Sequence, residues 1–247
     1  MGTEIWWASR GDYRDELTGL FDETERARFD RYRRTEDQQR FAVGCALAKQ
    51  AVAWRTGGAA RAVMFDRSCA ECGGTHGKPR VAGVEFSVSH SGDAVVVAVA
   101  DAPCGVDVEL LDGDRDIAGL SRLVLGEGEQ AADEREFLRA WTRKEAVTKA
   151  TGDGLRAPFS QVIVAGEPPR VAAWPYPDSP DSVTVKDLDA PAGYLAALAV
   201  LGPVADIFVH NDAWPVLREF VGDQTVRDRP APLYCEGHNP AKERPDA

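Results

Sequence analysis

Three side chains that could take part in chemistry recur at every fourth position, at Trp141, Glu145 and Lys149. On a helix this spacing places them along one face, and Gly152 and Gly154 would end that helix. An aromatic ring, a carboxylate and an ammonium group on one stripe suit a site that holds a metal ion and a phosphate. Taken alone, the stretch fits better an ordinary amphipathic helix with a core tryptophan and a solvated Glu–Lys pair.

Two carboxylates upstream favour the chemical interpretation. Asp107 and Glu109 alternate with apolar residues as on a β-strand, so both would project from one face, roughly 7 Å apart. A solvent-facing edge would tolerate two such acids. The apolar runs on either side indicate instead a buried neighbourhood, where unpaired acids are costly. Together with Glu145 they offer three hard oxygen ligands, which suit Mg²⁺.

Four short motifs in order resemble those of one enzyme family. The segment Gly105–Glu109 (GVDVE) and the pattern WxxKExxxK of Trp141–Lys149 resemble the paired signatures of the 4′-phosphopantetheinyl transferases. Gly77–Pro79 (GKP) and Phe86–Ser91 (FSVSHS) match two further motifs of that family. Their order and spacing resemble the large, two-subdomain Sfp type, and the resemblance spans about residues 5–200.

The resemblance implies a reaction and a site. The reaction is transfer of the phosphopantetheine arm of coenzyme A to a serine of an apo acyl or peptidyl carrier protein, with release of adenosine 3′,5′-bisphosphate. Mg²⁺ would be held by Asp107, Glu109 and Glu145. Glu145 would deprotonate the serine, directly or through water, and Lys149 would neutralise the leaving phosphate. The residues expected to bind coenzyme A are Arg40, Lys78, Ser89, His90 and Lys144, with His90 directed at the 3′-phosphate.

Some assignments stay open. The family often has a further acid after the acidic strand, and Glu127 and Glu129 both compete for that role. Another Mg²⁺-dependent phosphate or phosphodiester hydrolase would need the same three carboxylates. A protein of the same fold that binds coenzyme A or a carrier without turnover is a further alternative.

The loop before Gly77 contains Cys69, Cys72 and His76. A Cys-x-x-Cys pair with a nearby histidine resembles half of a zinc site, but a second ligand pair at the usual spacing is missing. Redox work is not indicated without a thioredoxin-like context.

Composition limits the class of protein. The net charge of −11 argues against a nucleic-acid binder, and no apolar run reaches membrane length. The sequence has five cysteines and shows no export signal, which indicates reduced thiols in the cytoplasm. We expect a monomer with no membrane partner. Most of the negative charge lies after residue 103, so an acidic carrier would dock on apolar surface beside the cleft.

The elements indicate an α+β fold. We predict two similar subdomains related by pseudo-two-fold symmetry, each a small antiparallel sheet with a long packed helix and with the site between them. The N-terminal subdomain, on the nucleotide side of coenzyme A, covers residues 1–103. The C-terminal subdomain, with the acids and the catalytic helix, covers 104–225, and 226–247 is predicted to be a disordered tail. A short strand is predicted over Ala62–Phe65.

An internal repeat supports this symmetry. At an offset of 95 residues, Lys49–Val52 matches Lys144–Val147, and Thr56–Gly57 matches Thr151–Gly152. A duplicated helix-plus-sheet unit would explain the match. It predicts that the two helices occupy equivalent places, and that only the second copy kept a metal-binding carboxylate.

Overall fold

The structure is a computed structural model that describes residues 2–69, 72–75, 77–176, 182–213 and 217. His76 and the predicted tail lie outside the described residues.

The first subdomain is an antiparallel hairpin and strand covered by a long helix. It consists of strand β1 (Thr3–Ser9), helices α1 (Glu23–Arg31) and α2 (Thr35–Thr56), and the hairpin of β2 (Glu85–Ser91) and β3 (Ala94–Ala100). The strands pair in the order β2-β3-β1, with β3 antiparallel to both neighbours.

The second subdomain repeats this arrangement. Its elements are β4 (Cys104–Leu110), α3 (Ile117–Val124), α4 (Glu134–Thr151), β5 (Ile163–Ala165), β6 (Arg170–Ala173), β7 (Val183–Leu188) and β8 (Tyr194–Leu201). The order β4-β8-β7, again antiparallel, corresponds to β1-β3-β2, and β5 and β6 form a separate small ladder. The predicted α+β fold with two similar subdomains is confirmed.

The two sheets pack face to face between the two long helices. The strand β3 is buried along its whole length because its two faces serve different cores. Val95, Val97 and Val99 pack with α2 in one cluster, whereas Val96 and Ala98 pack against the second sheet. The second sheet turns its other face to α4, where Ala197 and Ala199 pack on the helix. The resulting order of layers is α2, first sheet, second sheet, α4.

The lysines of the internal repeat have matching environments. Lys49 of α2 and Lys144 of α4 are both completely buried. Each ammonium binds the carboxylate of one glutamate, Glu25 for the first and Glu129 for the second. Each also donates to a main-chain carbonyl that follows its own helix, that of Val63 at 3.0 Å or of Phe159 at 2.9 Å.

The ends of the two helices match as well. Both stop at a glycine in the left-handed conformation, Gly57 with φ 71° and Gly152 with φ 84°, a region that residues with a Cβ rarely adopt. The topology, the glycine ends and the buried lysines together confirm that α2 and α4 are equivalent.

Two features differ from the sequence-based expectations. No strand forms over Ala62–Phe65, because Ala60–Ala62 make a 3₁₀ turn and the Val63 carbonyl is taken by Lys49. In addition, strand β9 (Ile207–His210) pairs in parallel with β1 of the first sheet. The chain therefore returns to the first subdomain after β8, so the contiguous division at 104–225 does not follow the sheets.

Candidate active site

Strand β4 and helix α4 meet at Gly105. A Cβ on Gly105 would lie 2.0 Å from the Ala146 carbonyl oxygen and 2.6 Å from the Ala150 amide nitrogen. Only glycine permits this approach of helix to strand. Because side chains alternate along a strand, Asp107 and Glu109 share the face of Gly105 and lie beside the helix that carries Glu145.

Asp107 is a buried carboxylate with one occupied oxygen. Its Oδ1 accepts from the Lys149 ammonium at 2.6 Å and from the Ser89 hydroxyl at 2.8 Å. Its Oδ2 is buried and has no hydrogen-bond partner among the described residues. A buried carboxylate oxygen without a donor is costly, so this atom is suited to receive a cation.

Glu109 is held by a hydroxyl and a guanidinium. Its Oε2 accepts from Ser91 Oγ at 3.0 Å and from Arg115 Nη2 at 2.9 Å. Burial and then the charge of Asp107 raise the pKa of Glu109 above the ordinary carboxyl value, against the opposing effects of Ser91 and Arg115.

Glu145 completes the acidic group. Burial raises the pKa of Glu145, and the charges of Asp107 and Glu109 raise it further, whereas Lys149 lowers it. Since charges act strongly only at short range or in a poorly hydrated space, the three acids belong to one electrostatic neighbourhood.

The donor set fits a divalent cation, although the carboxylates do not already form a coordination shell. Among the residues that the structure describes, no three acidic, histidine or cysteine side chains stand where they could hold a metal ion. Three carboxylates, two of which (Glu109 and Glu145) have a raised pKa, and the unpartnered buried oxygen of Asp107 suit Mg²⁺, which prefers oxygen ligands and keeps several positions for water and phosphate.

A cleft of about 390 Å³ opens on the first subdomain and reaches Lys149. Its wall is rich in groups that bind phosphate. The cations and imidazole that line it are Arg28, Arg67, Lys78, His90 and Lys149. Apolar side chains such as Phe41, Phe65 and Val88 complete the lining. We call this space the cationic cleft.

Serine side chains of β2 join the cleft to the acids. Ser87 Oγ accepts from the Val106 amide and Ser91 Oγ from the Leu110 amide, both at 3.1 Å and both across 19 residues of sequence. Strands β2 and β4 therefore run parallel to each other, and serine hydroxyls join them in place of main-chain hydrogen bonds. Ser89, between them, accepts from the Lys149 ammonium at 3.1 Å. Ser89 thus lies between the cationic cleft and the acids.

Lys78 fastens the loop of the first subdomain to α4. Its ammonium donates to the carbonyls of Lys149 at 2.9 Å and of Cys104 at 3.1 Å, and burial lowers the pKa of Lys78. An ammonium has three donors, so two main-chain bonds leave one donor for a ligand in the cleft.

His90 lines the cleft, and Arg40 lies near it. His90 is exposed, and partial desolvation followed by the nearby charge of Arg40 lowers the pKa of His90. Arg40 donates to the Gly92 carbonyl at 2.8 Å and pairs with Asp37, which ties helix α2 to the turn after β2. Arg40 therefore stands next to the cleft, and His90 lines it.

The placement of Lys144 requires a correction. The sequence assigned it to coenzyme binding, but its completely buried ammonium contacts Glu129 and the carbonyls of Val124 and Phe159. Lys144 does not line the cationic cleft, and its complete burial keeps the ammonium out of reach of a ligand there. Lys144 supports the interior of the second subdomain.

Neither additional acid stands with the other three. Glu129 is taken up by Lys144 and by the amides of Gly126 and Val164. Glu127 is exposed.

Three cations at the site were not among the residues predicted from the sequence. Arg28 lies on the charged helix α1, which turns it over the Phe41 ring and into the cleft. Arg67 lies two residues after Phe65, and its guanidinium covers the Phe65 ring. Arg115 lies six residues after Glu109, which it contacts. The spacing of Arg115 was visible in the sequence, but its contact depends on the turn after β4.

The cysteine loop retains an open question. Gly74 N lies 3.4 Å from Cys72 Sγ, and Gly73 N donates to the Cys69 carbonyl at 2.9 Å. Because His76 lies outside the described residues, the zinc hypothesis stays a prediction. Cys45 and Cys104 are interior thiols, and burial raises the pKa of each to about 12.

Two models of one enzyme family match the two parts of this chain. A model of the 4′-phosphopantetheinyl transferase superfamily matches residues 103–197, and a model of the N-terminal part of 4′-phosphopantetheinyl transferases matches residues 4–102. The chain belongs to the 4′-phosphopantetheinyl transferase superfamily. The two adjoining matches cover both subdomains, as expected for the large Sfp-type form of this transferase.

Individual relatives agree. The transferase is 26% identical to the 4′-phosphopantetheinyl transferase of Bacillus subtilis over 76% of this chain and 86% of that protein. It is 31% identical to the 4′-phosphopantetheinyl transferase psf-1 of Bacillus pumilus, over 53% of this chain and 60% of that one. It is 29% identical to the 4′-phosphopantetheinyl transferase HetI of Nostoc, over 62% of this chain and 68% of that protein.

Proposed function

We propose that this transferase moves the phosphopantetheine arm of coenzyme A to a serine of an apo acyl or peptidyl carrier protein. The observation that carries the proposal is the position of Lys149. Its ammonium binds Asp107 of the acidic group at 2.6 Å, and the same side chain lines the cationic cleft. A ligand with several phosphates could thus lie in the cleft and present one phosphorus to the acids.

The cleft suits coenzyme A by charge and by shape. Arg28, Arg67 and Lys149 can neutralise the pyrophosphate and the 3′-phosphate, with His90 as a further phosphate ligand. The apolar part of the lining offers a surface on which the adenine can stack.

Asp107, Glu109 and Glu145 would hold Mg²⁺. When bound, this ion would offset negative charge on the pyrophosphate and at the transferred phosphorus. Lys149, already paired with Asp107, would meet the phosphate that leaves.

Glu145 is suited to be the general base. Its raised pKa makes it a stronger proton acceptor than an ordinary carboxylate. The serine oxygen of the carrier forms a bond to the phosphorus of the arm as its proton passes to Glu145, directly or through a water. The bond from that phosphorus to the bridging oxygen breaks, and adenosine 3′,5′-bisphosphate leaves.

We further propose that the transferase acts as a cytoplasmic monomer. Cys45 and Cys104 are buried thiols, which suits a reducing compartment. No helix among the described residues is long and apolar enough to cross a bilayer. The acidic second half favours a carrier that docks through apolar contacts.

Mass spectrometry tests the proposal. An apo carrier incubated with the transferase, coenzyme A and Mg²⁺ should gain one phosphopantetheine per modified serine, and Glu145→Gln should prevent the gain. A phosphate hydrolase would instead degrade coenzyme A without any carrier. A binding protein without turnover would retain coenzyme A and leave both molecules intact.

A further inference from the structure

Arg115 is the centre of an acidic network beside the catalytic acids. Its Nη2 donates to Glu109 Oε2 at 2.9 Å. Its Nη1 donates to the Leu110 carbonyl at 2.5 Å and lies 3.2 Å from a carboxylate oxygen of Asp112 and 3.2 Å from one of Glu134. Three carboxylates therefore share one guanidinium.

Only one of these carboxylates belongs to the proposed metal site. Glu109 would be a ligand, whereas Asp112 lies in the turn after β4 and Glu134 is the first residue of α4. The same Oε2 of Glu109 also accepts from Ser91. This oxygen of Glu109 is thus occupied by two donors, one of them cationic.

The turn that carries Arg115 is anchored independently of Glu109. The Gly113 amide donates to Glu134 Oε2 at 2.9 Å, and the Leu110 carbonyl holds Nη1. A change of the guanidinium's orientation could therefore break its contact with Glu109 and keep those with Asp112 and Glu134.

We propose that Arg115 is a tethered counter-cation that neutralises Glu109 in the metal-free transferase, and that it leaves Glu109 and keeps Asp112 and Glu134 when a divalent cation binds. The inference rests on the proposed function, because it requires Glu109 to be a metal ligand. Arg115 pairs with Glu109 at 2.9 Å, as Lys149 pairs with Asp107 at 2.6 Å. Two tethered cations allow three neighbouring carboxylates to fold together without a metal, where they would otherwise repel one another.

The inference predicts that Arg115 competes with the metal. Mn²⁺ binding, followed by electron paramagnetic resonance without coenzyme, measures this competition. Arg115→Gln should bind Mn²⁺ about tenfold more tightly, the effect expected from removing a unit charge roughly 5 Å from a divalent ion near solvent. Arg115→Lys, which keeps the charge, should stay closer to the native affinity. Arg139→Gln is the matched control, since Arg139 pairs with Asp187 at the surface.

A second variant tests the movement itself. Glu134→Gln removes a carboxylate that would hold Arg115 after it leaves Glu109, so it should weaken Mn²⁺ binding several-fold in the native background. In the Arg115→Gln background the same change should have a much smaller effect, because no guanidinium then needs an acceptor. The variant Asp112→Asn/Glu134→Gln supplies the same test if Arg115→Gln does not fold.

Unchanged or weaker Mn²⁺ binding by folded Arg115→Gln would overturn the inference, as would equal effects of Glu134→Gln in both backgrounds. Native protein that does not bind Mn²⁺ would overturn it together with the metal assignment. Carrier modification in the mass-spectrometry experiment would show independently whether the transferase function stands.

Discussion

Lys49 and Lys144 are equivalent residues of the two subdomains, each completely buried and each paired with a glutamate. The glutamates are equivalent too. Glu25 Oε2 accepts from the Asp22 amide three residues earlier, and Glu129 Oε2 from the Gly126 amide, also three residues earlier. The duplication therefore preserved a structural ion pair in both halves, which explains why a lysine inside the catalytic motif is not available to substrate.

Lys144→Met should destabilise the transferase by about 3 kcal/mol, because it leaves the Glu129 carboxylate buried without its cation. Lys49→Met is the matched variant in the first half and should cost a similar amount. Urea denaturation measures both losses, and the KM for coenzyme A of folded Lys144→Met should stay within about twofold of the native value. A clearly raised KM with little loss of stability would restore the coenzyme-binding role for Lys144.

Glu145→Gln should abolish transfer and stabilise the metal-free protein. Because the pKa of Glu145 is raised by folding, stability falls as pH rises from the ordinary carboxyl pKa through the raised value, and the loss persists at neutral pH. A neutral amide avoids this loss, so Tm should increase on the order of 2 °C at pH 7.

The gain should disappear in acid, where Glu145 is protonated. Glu127→Gln, at an exposed carboxylate, is the control and should leave both Tm and activity nearly unchanged. Scanning calorimetry with and without Mg²⁺ provides the measurement. An equal or lower Tm of Glu145→Gln at neutral pH would contradict the electrostatic account.

Coenzyme A should bind more tightly as pH falls from about 7.5 to about 5.5, through protonation of His90. The pKa of His90 is lowered in the free protein, so the ring is neutral at pH 7, and a bound phosphate would draw a proton onto it. Dephospho-coenzyme A lacks the 3′-phosphate and should show no such gain.

His90→Ala isolates the effect from titration of the phosphate itself. In calorimetric titrations, this variant should lose affinity for coenzyme A more than for dephospho-coenzyme A. Equal losses of affinity for the two ligands would show that the 3′-phosphate does not contact His90.

Gly105→Ala should displace α4 from β4. The added methyl group would lie 2.0 Å from the Ala146 carbonyl, so we expect a loss of roughly 2 kcal/mol or more and a large fall in kcat/KM from misplaced Glu145. Gly19→Ala, where a Cβ meets nothing within 4 Å, is the control. Equal stability of the two variants would show that the helix does not depend on this contact.

Local sequence determined the elements that carry the chemistry. Alternation along Gly105–Glu109 set which side chains share a face of β4, and the spacing of Glu145 and Lys149 set their stripe on α4. These properties follow from the periods of strand and helix. The equivalence of α2 and α4 was likewise predicted by the repeated Lys-x-Ala-Val sequence and by the glycine after each helix. A lysine that is buried needs a carboxylate partner, and a helix end in the left-handed conformation favours glycine, so both features recur at equivalent positions.

Tertiary structure decided which charged groups pair with one another. Lys144 and Lys149 stand on the same helix, yet one ammonium is enclosed by carbonyls and Glu129 while the other reaches Asp107 and the cationic cleft. Arg28 and Arg67 enter the cleft, and β9 returns to the first sheet, through contacts between distant segments. The partners of a charge depend on where the packed elements bring its neighbours, and that information is not contained in the spacing of residues along one helix or strand.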